Sequence, residues 1–474
     1  MTEARFCMTC GKERPPAGGA VPPPPPPAPP SYAPGAGAAL SPAVPSPAAL
    51  FLRRAFTGDW AGAAKAVLWP AVPLFVLALV VSLASDGDYD DIHFASWSER
   101  FQAALGLLLQ GLGAGLEVET RRNGGLLTSF VQGSGSISVW PLTITVLWAF
   151  AVAVGARRLR RSQGTGGGAE AALRIALLAG AVVLALGLYG QPDADLVSID
   201  TTPVLAALFT FALSGAVSAA VLCRDALAVR LGAGALMAVR AWGTALRALG
   251  LSVGLCGLIV FVVIASHQHE AGGGGAVAAS LLFLANLGLM GLGLSWGAGV
   301  EGSASDGGRP EGGTFGLSEL GDAAGSSGGW AQAGALAVGA LCAVVLAVLA
   351  ARRSADRREQ ALAGAFFLGA LLLLSCVSGA EMNMSAGSAF ASRSHEMHAS
   401  VGTNGGELLL FGLVWTAGAV LLATLLGRTS LASPRPASPV PAHGFPPAPG
   451  MPPVAPATPP AWPATPAPVP PAPA

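Results

Sequence analysis

Eight apolar runs of about 20 residues constrain the fold of this 474-residue chain more than any other feature. An α-helix of that length rises about 30 Å, which is the thickness of the hydrocarbon core of a bilayer. Only 11% of the residues are charged, against roughly 25% in an average soluble domain, so the chain lacks the polar surface of a soluble protein. We therefore predict an all-α, polytopic helical membrane protein. Its predicted transmembrane helices are residues 66–85, 137–156, 172–190, 203–223, 247–266, 331–351, 361–380 and 408–427.

Arginine and lysine decide whether two further apolar stretches, 101–116 and 276–299, cross the membrane. If neither stretch crosses, 21 of the 26 Lys and Arg residues lie on the cytoplasmic side, whereas crossing by both leaves 14 on that side. Because cytoplasmic loops carry an excess of Lys and Arg, we predict eight spans with both termini in the cytoplasm. The two stretches are then outer-face re-entrant segments, hairpins or interfacial helices, although the length of 276–299 alone would predict a span.

Proline marks the two tails of the chain. Residues 1–50 and 431–474 hold 32 of the 38 Pro residues and few large apolar residues, so both are predicted to be disordered, with polyproline II character. Such tails serve either as solvated spacers, which is the simpler interpretation, or as ligands of a cytoplasmic proline-binding partner. The N-terminal tail has no apolar region typical of a signal peptide.

The spans fall into two halves, residues 51–230 and 231–430, which follow one pattern. Each half opens on a basic lead-in, has a Gly-punctuated apolar stretch after its first span, and carries an arginine cluster after its second span, at 157–161 and 352–358. Four crossings are an even number, so a duplication would give a parallel four-plus-four repeat about an axis along the membrane normal. The alternative is that any eight-span chain shows such a likeness.

The N-terminal tail contains an incomplete zinc site. The spacing of Cys7 and Cys10 lets both thiolates bind one tetrahedral Zn²⁺. A closed site needs four ligands, and no other Cys or His precedes His93, so zinc would require a second copy of the chain, as in a homo-oligomer, or another protein. A cytoplasmic position disfavours a disulfide between the two thiols. The alternative is a degenerate remnant that binds no metal.

Histidine gathers in the predicted outer loops. His395 and His398 form one of the densest groups there, together with Glu396 and Met397. Imidazole with thioether would suit copper, and imidazole with carboxylate would suit zinc. Polar loops also collect such residues without binding metal, and we favour this interpretation. No resident cofactor is therefore predicted beyond the incomplete zinc site.

One amide lies near the centre of each Gly-rich apolar stretch, Gln110 in the first and Asn286 in the second. If both stretches re-enter the membrane, the two amides line a polar path between the halves, because non-helical backbone at membrane depth needs protein or water around it. Small residues in such stretches also serve ordinary helix packing, which is the commoner case.

The sequence resembles the streptophobe family in several features taken together. These are the Ala-, Gly- and Arg-rich body, the FCMTCG knuckle, the Pro-rich arm, Trp60 and Trp69 at the first span, and the Gly/Ser-rich loop that runs into Trp140. Members of that family are multi-pass membrane proteins of Streptomyces and relatives. The resemblance covers about residues 51–430 and implies a bacterial plasma-membrane protein, but it brings no assigned activity and no catalytic residues.

Motifs of well-known enzyme classes are missing from the sequence. There is no Walker P-loop lysine, no HExxH helix and no G-x-S-x-G elbow in a suitable context, so we predict no enzymatic activity. No Asp or Glu lies mid-span, which argues against ion coupling through a buried carboxylate. The 26 basic and 26 acidic residues balance and give no argument for nucleic acid. We predict a non-enzymatic envelope or scaffold protein in the lipid bilayer, and the alternative is a transporter or channel with a path between the halves.

Overall fold

The computed structural model describes most of the chain between residues 46 and 431. The helix bundle and sheet described below belong to one compact unit that begins at Arg54. Cys7, Cys10 and most of both proline-rich tails lie outside the described residues. The described ranges are 46–84, 96–120, 131–163, 168–191, 193–194, 197–267, 274–306, 309–354, 356–388 and 391–431.

Helices form the body of the described chain. They are α1 (Pro47–Thr57), α2 (Trp60–Ala84), α3 (Trp97–Gln110), α4 (Leu142–Gln163), α5 (Gly168–Tyr189), α6 (Pro203–Leu222), α7 (Arg224–Arg230), α8 (Ala233–Ser266), α9 (Gly274–Leu282), α10 (Leu284–Trp296), α11 (Leu317–Ala323), α12 (Gly328–Arg353), α13 (Arg357–Ser378) and α14 (Gly405–Leu431). Among these described helices, eight are long and apolar enough to cross a membrane, which confirms the predicted number. The spanning helices are α2, α4, α5, α6, α8, α12, α13 and α14.

The two apolar stretches that charge excluded from the spans form only short helices. The first lies mostly in α3, whose 14 residues rise about 21 Å. The second is divided at Phe283 between α9, with 9 residues, and α10, with 13 residues. Each of these helices is too short for a hydrocarbon core of about 30 Å. The predicted architecture of eight spans and two shorter segments is therefore confirmed.

Seven of the eight spans begin at a different residue from the one that hydropathy indicates, and only the fourth begins where predicted, at Pro203. The second span, predicted to begin at 137, begins at Leu142, because residues 137–139 belong to a strand and Pro141 has the fixed φ angle that suits the start of a helix. The fifth span, predicted to begin at 247, begins at Ala233 because the helix extends through the preceding basic segment.

An antiparallel sheet of eight strands connects the helices on one side of the bundle. Neither hydropathy nor the spacing of residues predicted this sheet. The strands are β1 (Leu116–Thr120), β2 (Val131–Val139), β3 (Asp193–Ala194), β4 (Val197–Thr201), β5 (Val300–Asp306), β6 (Arg309–Phe315), β7 (Ala380–Ser388) and β8 (Ala391–Thr403), in the order β3-β4-β1-β2-β7-β8-β5-β6. Each hairpin of the sheet lies between two successive spanning helices. We call the end of the helix bundle that carries these hairpins the sheet side. The opposite end, which carries the arginine clusters 157–161 and 352–358, is the arginine side.

The two halves have the same element order on the sheet side. The first half contributes β3-β4-β1-β2 and the second contributes β7-β8-β5-β6, so each hairpin has a counterpart at the same place in its half. The turns that lead into β1 and β5 also match. Gly113 (φ 88°) and Gly297 (φ 104°) adopt the left-handed conformation that favours glycine, and each follows a short helix. In each turn the next residue, Ala114 or Ala298, donates its N–H back into that helix.

Each half has its own hydrophobic core. The helices α2 to α6 pack around buried residues that include Trp148 and Ile175. The helices α8, α10, α12, α13 and α14 pack around a second group that includes Trp296 and Phe367. Leu142, at the start of α4, belongs to the first half by sequence but packs in the second core. The beginning of α4 is therefore a place where the two halves meet.

Candidate functional site between the two halves

Asn286 connects the two halves through its side chain. It lies in the first turn of α10 with only 4% of its surface exposed. Its Oδ1 accepts a hydrogen bond from the main-chain N–H of Leu142 (3.0 Å), while its Nδ2 donates to the carbonyls of Trp140 (2.8 Å) and Ser378 (3.1 Å). One amide thus joins the start of α4, in the first half, to the end of α13, in the second.

The partners of Asn286 are main-chain groups that helices leave unsatisfied. The N–H of Leu142 has no acceptor within α4 because the helix begins there, and the carbonyl of Ser378 has no donor within α13 because that helix ends there. An amide side chain has both a donor and an acceptor, so it satisfies both helix ends at once. The neighbouring N–H of Ala285 donates to Thr143 Oγ1 (2.9 Å), which adds a second hydrogen bond across the junction.

The strands β2 and β7 continue the junction on the sheet side. They pair along nine positions, from Val131 opposite Ser388 to Val139 opposite Ala380. Their pairing makes one sheet of the two four-stranded parts. Hydrogen bonds between strands on the sheet side and the Asn286 contacts beneath them therefore hold the same two halves together.

Trp140 fixes the chain between β2 and α4. Its indole N–H lies 3.2 Å from both the Gly111 carbonyl and Thr145 Oγ1, and its ring packs edge-on against Phe209 with the centroids 5.1 Å apart. These contacts lie within the first half. They hold the Trp140 carbonyl at the position where Asn286 donates to it.

Gln110, the other predicted path residue, is the last residue of α3 and is 3% exposed. The turn after it passes close to the start of α4, since a Cβ on Gly111 would lie 2.7 Å from the Pro141 carbonyl oxygen. Both predicted amides are thus buried near the junction. For Asn286 the contacts describe a tie between the halves, and the path past Gln110 and Asn286 stays a prediction.

The predicted metal-binding histidines lie on β8. His398 is exposed, and its Nδ1 pairs with Asn383 Oδ1 across the β7–β8 ladder. Position 395 stands opposite Ala386 in the same ladder. Because residues alternate between the two faces of a strand, positions 395 and 398 belong to opposite faces. Within the described part of the chain no group of three or more His, Cys, Asp or Glu residues is placed to hold a metal ion, and both metal sites stay predictions.

The arginine side collects cations from both halves. Arg353, Arg224 and Arg157 all act electrostatically on Arg247, and these four residues come from α12, α7, α4 and α8. Like charges repel each other, and bound anions would relieve the repulsion. The arginine side therefore carries a positive field that neither half supplies alone.

The connection between α6 and α7 is held on the same side. Arg160 forms an ion pair with Asp225 and donates a hydrogen bond to the Val221 carbonyl (3.1 Å). Burial, and to a smaller extent the Glu170 carboxylate, raise the pKa of the Cys223 thiol, so this thiol is protonated at neutral pH.

Comparison of the chain with protein-family models, curated proteins and solved structures gives no match. The function must therefore be inferred from the contacts themselves. At the junction these contacts are an amide, a hydroxyl, main-chain groups and apolar side chains. Groups of this kind fix one part of a protein against another.

Proposed function

We propose that the chain is a non-enzymatic scaffold of the membrane, in which two helical halves are held in one fixed arrangement beneath a continuous sheet. The observation that supports this proposal is the buried Asn286 side chain, whose donors and acceptor are engaged by main-chain groups of both halves. A buried amide that is fully hydrogen-bonded stabilises one arrangement, because any shift of the halves leaves several polar groups unsatisfied. The matching strand orders further support a parallel duplication.

Accessibility of the junction to water tests the scaffold against a transport path. In a chain whose six native Cys residues are replaced, Gln110→Cys and Leu142→Cys should resist a charged, membrane-impermeant thiol reagent, because both positions are buried and Leu142 contacts Asn286 through its main-chain N–H. Ser303→Cys, on an exposed position of β5, should react fully and serves as the control. Modification of residue 110 or 142 in folded protein would instead support a water-filled path and contradict the scaffold.

The proposed orientation places the arginine side in the cytoplasm and the sheet outside a bacterial plasma membrane. It is supported by the 21 of 26 Lys and Arg residues that this arrangement leaves on the cytoplasmic side. It also puts both proline-rich tails, with Cys7 and Cys10, where cytoplasmic partners could bind them. The streptophobe resemblance is consistent with this location and adds no activity.

Reporter fusions test this orientation. Green fluorescent protein fused after Arg158 or Arg353 should fluoresce, and alkaline phosphatase at these positions should be inactive, because both residues are on the proposed cytoplasmic side. The same reporters fused after Gly312, in β6, should give the reverse result. Phosphatase activity after Arg158 or Arg353 would overturn the proposed orientation.

A further inference from the structure

A cavity of about 460 Å³ opens on the arginine side between the first turns of α2 and the last turns of α4. The two helices come together beside it because Gly155 has no side chain: a Cβ there would lie 2.5 Å from the Ala66 carbonyl oxygen. Both residues line the cavity. A close contact between the two helices therefore forms part of its wall.

Two cations from different helices line this cavity, Lys65 on α2 and Arg158 on α4. The Arg158 guanidinium carbon lies 4.1 Å from the centroid of the Trp69 ring, and this cation–π contact holds the charge at the cavity. Asp59 also lines the cavity, but its Oδ1 accepts a hydrogen bond from the Gly62 N–H (2.9 Å) at the first turn of α2. This carboxylate thus serves a helix end, and the two cations remain suited to an anion.

We propose that this cavity binds the phosphate of an anionic phospholipid. Arg and Lys side chains from two helices can bind separate oxygens of one phosphate group. A lipid fits better than a free phosphate because the cavity adjoins an apolar surface of α2, where Trp69, Leu68 and Val72 are 39%, 56% and 52% exposed. Acyl chains can lie along that surface while the headgroup occupies the cavity.

The position in the membrane agrees with this ligand. Tryptophan is enriched at the level of the lipid headgroups, and basic pockets between helices on the cytoplasmic side bind anionic headgroups. The proposal rests on the orientation proposed above for its biological setting. Binding to purified protein does not depend on orientation, so failure of either proposal can be recognised separately.

The test uses the purified full-length chain in a mild neutral detergent. Phosphatidylglycerol should raise the midpoint of thermal unfolding and appear as a bound adduct in native mass spectrometry, whereas phosphatidylcholine should do neither. The double variant K65Q/R158Q should bind phosphatidylglycerol about tenfold or more weakly, because it lacks both charged contacts. The variant R161A removes an exposed cation of α4 that does not line the cavity and should bind like the wild type.

Several results would overturn the proposal. An equal phosphatidylglycerol shift in K65Q/R158Q and in R161A would place the lipid elsewhere. An equal shift with inorganic phosphate alone would assign the cavity to a soluble anion. If K65Q/R158Q does not fold, K65Q and R158Q each test one contact, and wild-type binding by both would contradict the site.

Discussion

Asn286→Leu should lower the free energy of unfolding by about 3 kcal/mol, because it leaves one N–H and two carbonyls buried without their partner. Leucine has a similar size, so the loss reports on hydrogen bonding more than on a cavity. Thr143→Val is the matched variant at the same junction. It removes only the acceptor of the Ala285 N–H and should cost about 1 kcal/mol.

Denaturation of the purified variants in detergent measures both values. The halves should also separate more readily in Asn286→Leu, which limited proteolysis of the chain would reveal as earlier cleavage between α7 and α8. Wild-type stability of Asn286→Leu would mean that the amide does not hold the halves together. If Asn286→Leu keeps wild-type stability but changes the permeability of proteoliposomes that contain it, this result would favour the transport alternative over the scaffold.

Arg174→Leu should lower the free energy of unfolding by about 4 kcal/mol. Arg174 lies on α5 with 7% of its surface exposed, and it donates to the main-chain carbonyls of Ala55 (2.6 Å), Arg54 (3.0 Å) and Asp59 (3.5 Å). The first two carbonyls belong to the last turn of α1, which lacks donors of its own and attracts a cation. Without the guanidinium these carbonyls are unsatisfied, and hydrogen bonds from charged groups are the costlier ones to lose.

Gly58 provides an independent check on this contact. A Cβ at Gly58 would lie 1.8 Å from Arg174 Nη2, so Gly58→Ala should push the guanidinium away from its carbonyls. The two substitutions should therefore be strongly non-additive, with Gly58→Ala costly in the wild type and nearly neutral in Arg174→Leu. Arg174→Lys should fall between wild type and Arg174→Leu because it keeps the charge and loses the planar fork of donors. Additive effects would show that Gly58 and Arg174 act separately.

The eight spans could be predicted from the sequence because length and hydropathy decide which helices cross a bilayer. The length of 276–299 alone would predict a span, and the positions of the arginines excluded this span. The sequence also places Arg174 near the start of the third predicted span, 172–190. The sequence could not identify the role of Arg174, because its acceptors are main-chain carbonyls more than 100 positions away, and every residue has such a carbonyl.

The sheet could not be predicted from the sequence because its strands are poor in β-branched and aromatic residues. The run Gly133 to Ser136 looks like low-complexity loop, yet it forms the centre of β2 because β7 of the other half pairs with it. A repeated signal was nevertheless present. Gly-Ala-Gly occurs at 113–115 and again at 297–299, and each copy is followed two residues later by Glu117 or Glu301.

The interface residue Asn286 illustrates what composition can and cannot supply. An amide in an otherwise apolar stretch is conspicuous, so the sequence was sufficient to single it out. Its partners Trp140, Leu142 and Ser378 contribute main-chain atoms alone, and any residue type could have supplied them. A polar side chain in such a stretch therefore indicates that something must satisfy it, without indicating whether that is water, cargo or protein.

The strand order also bears on how neighbouring copies meet in the plane of a membrane. The two outermost strands differ: β3 has two residues, and β6 contains Pro310, which has no N–H to offer. Very short edge strands and proline prevent the exposed edges of a sheet, its rims, from pairing with strands of other chains. Crowded copies that slide past one another should therefore not polymerise through these rims, and the sheet limits its own growth.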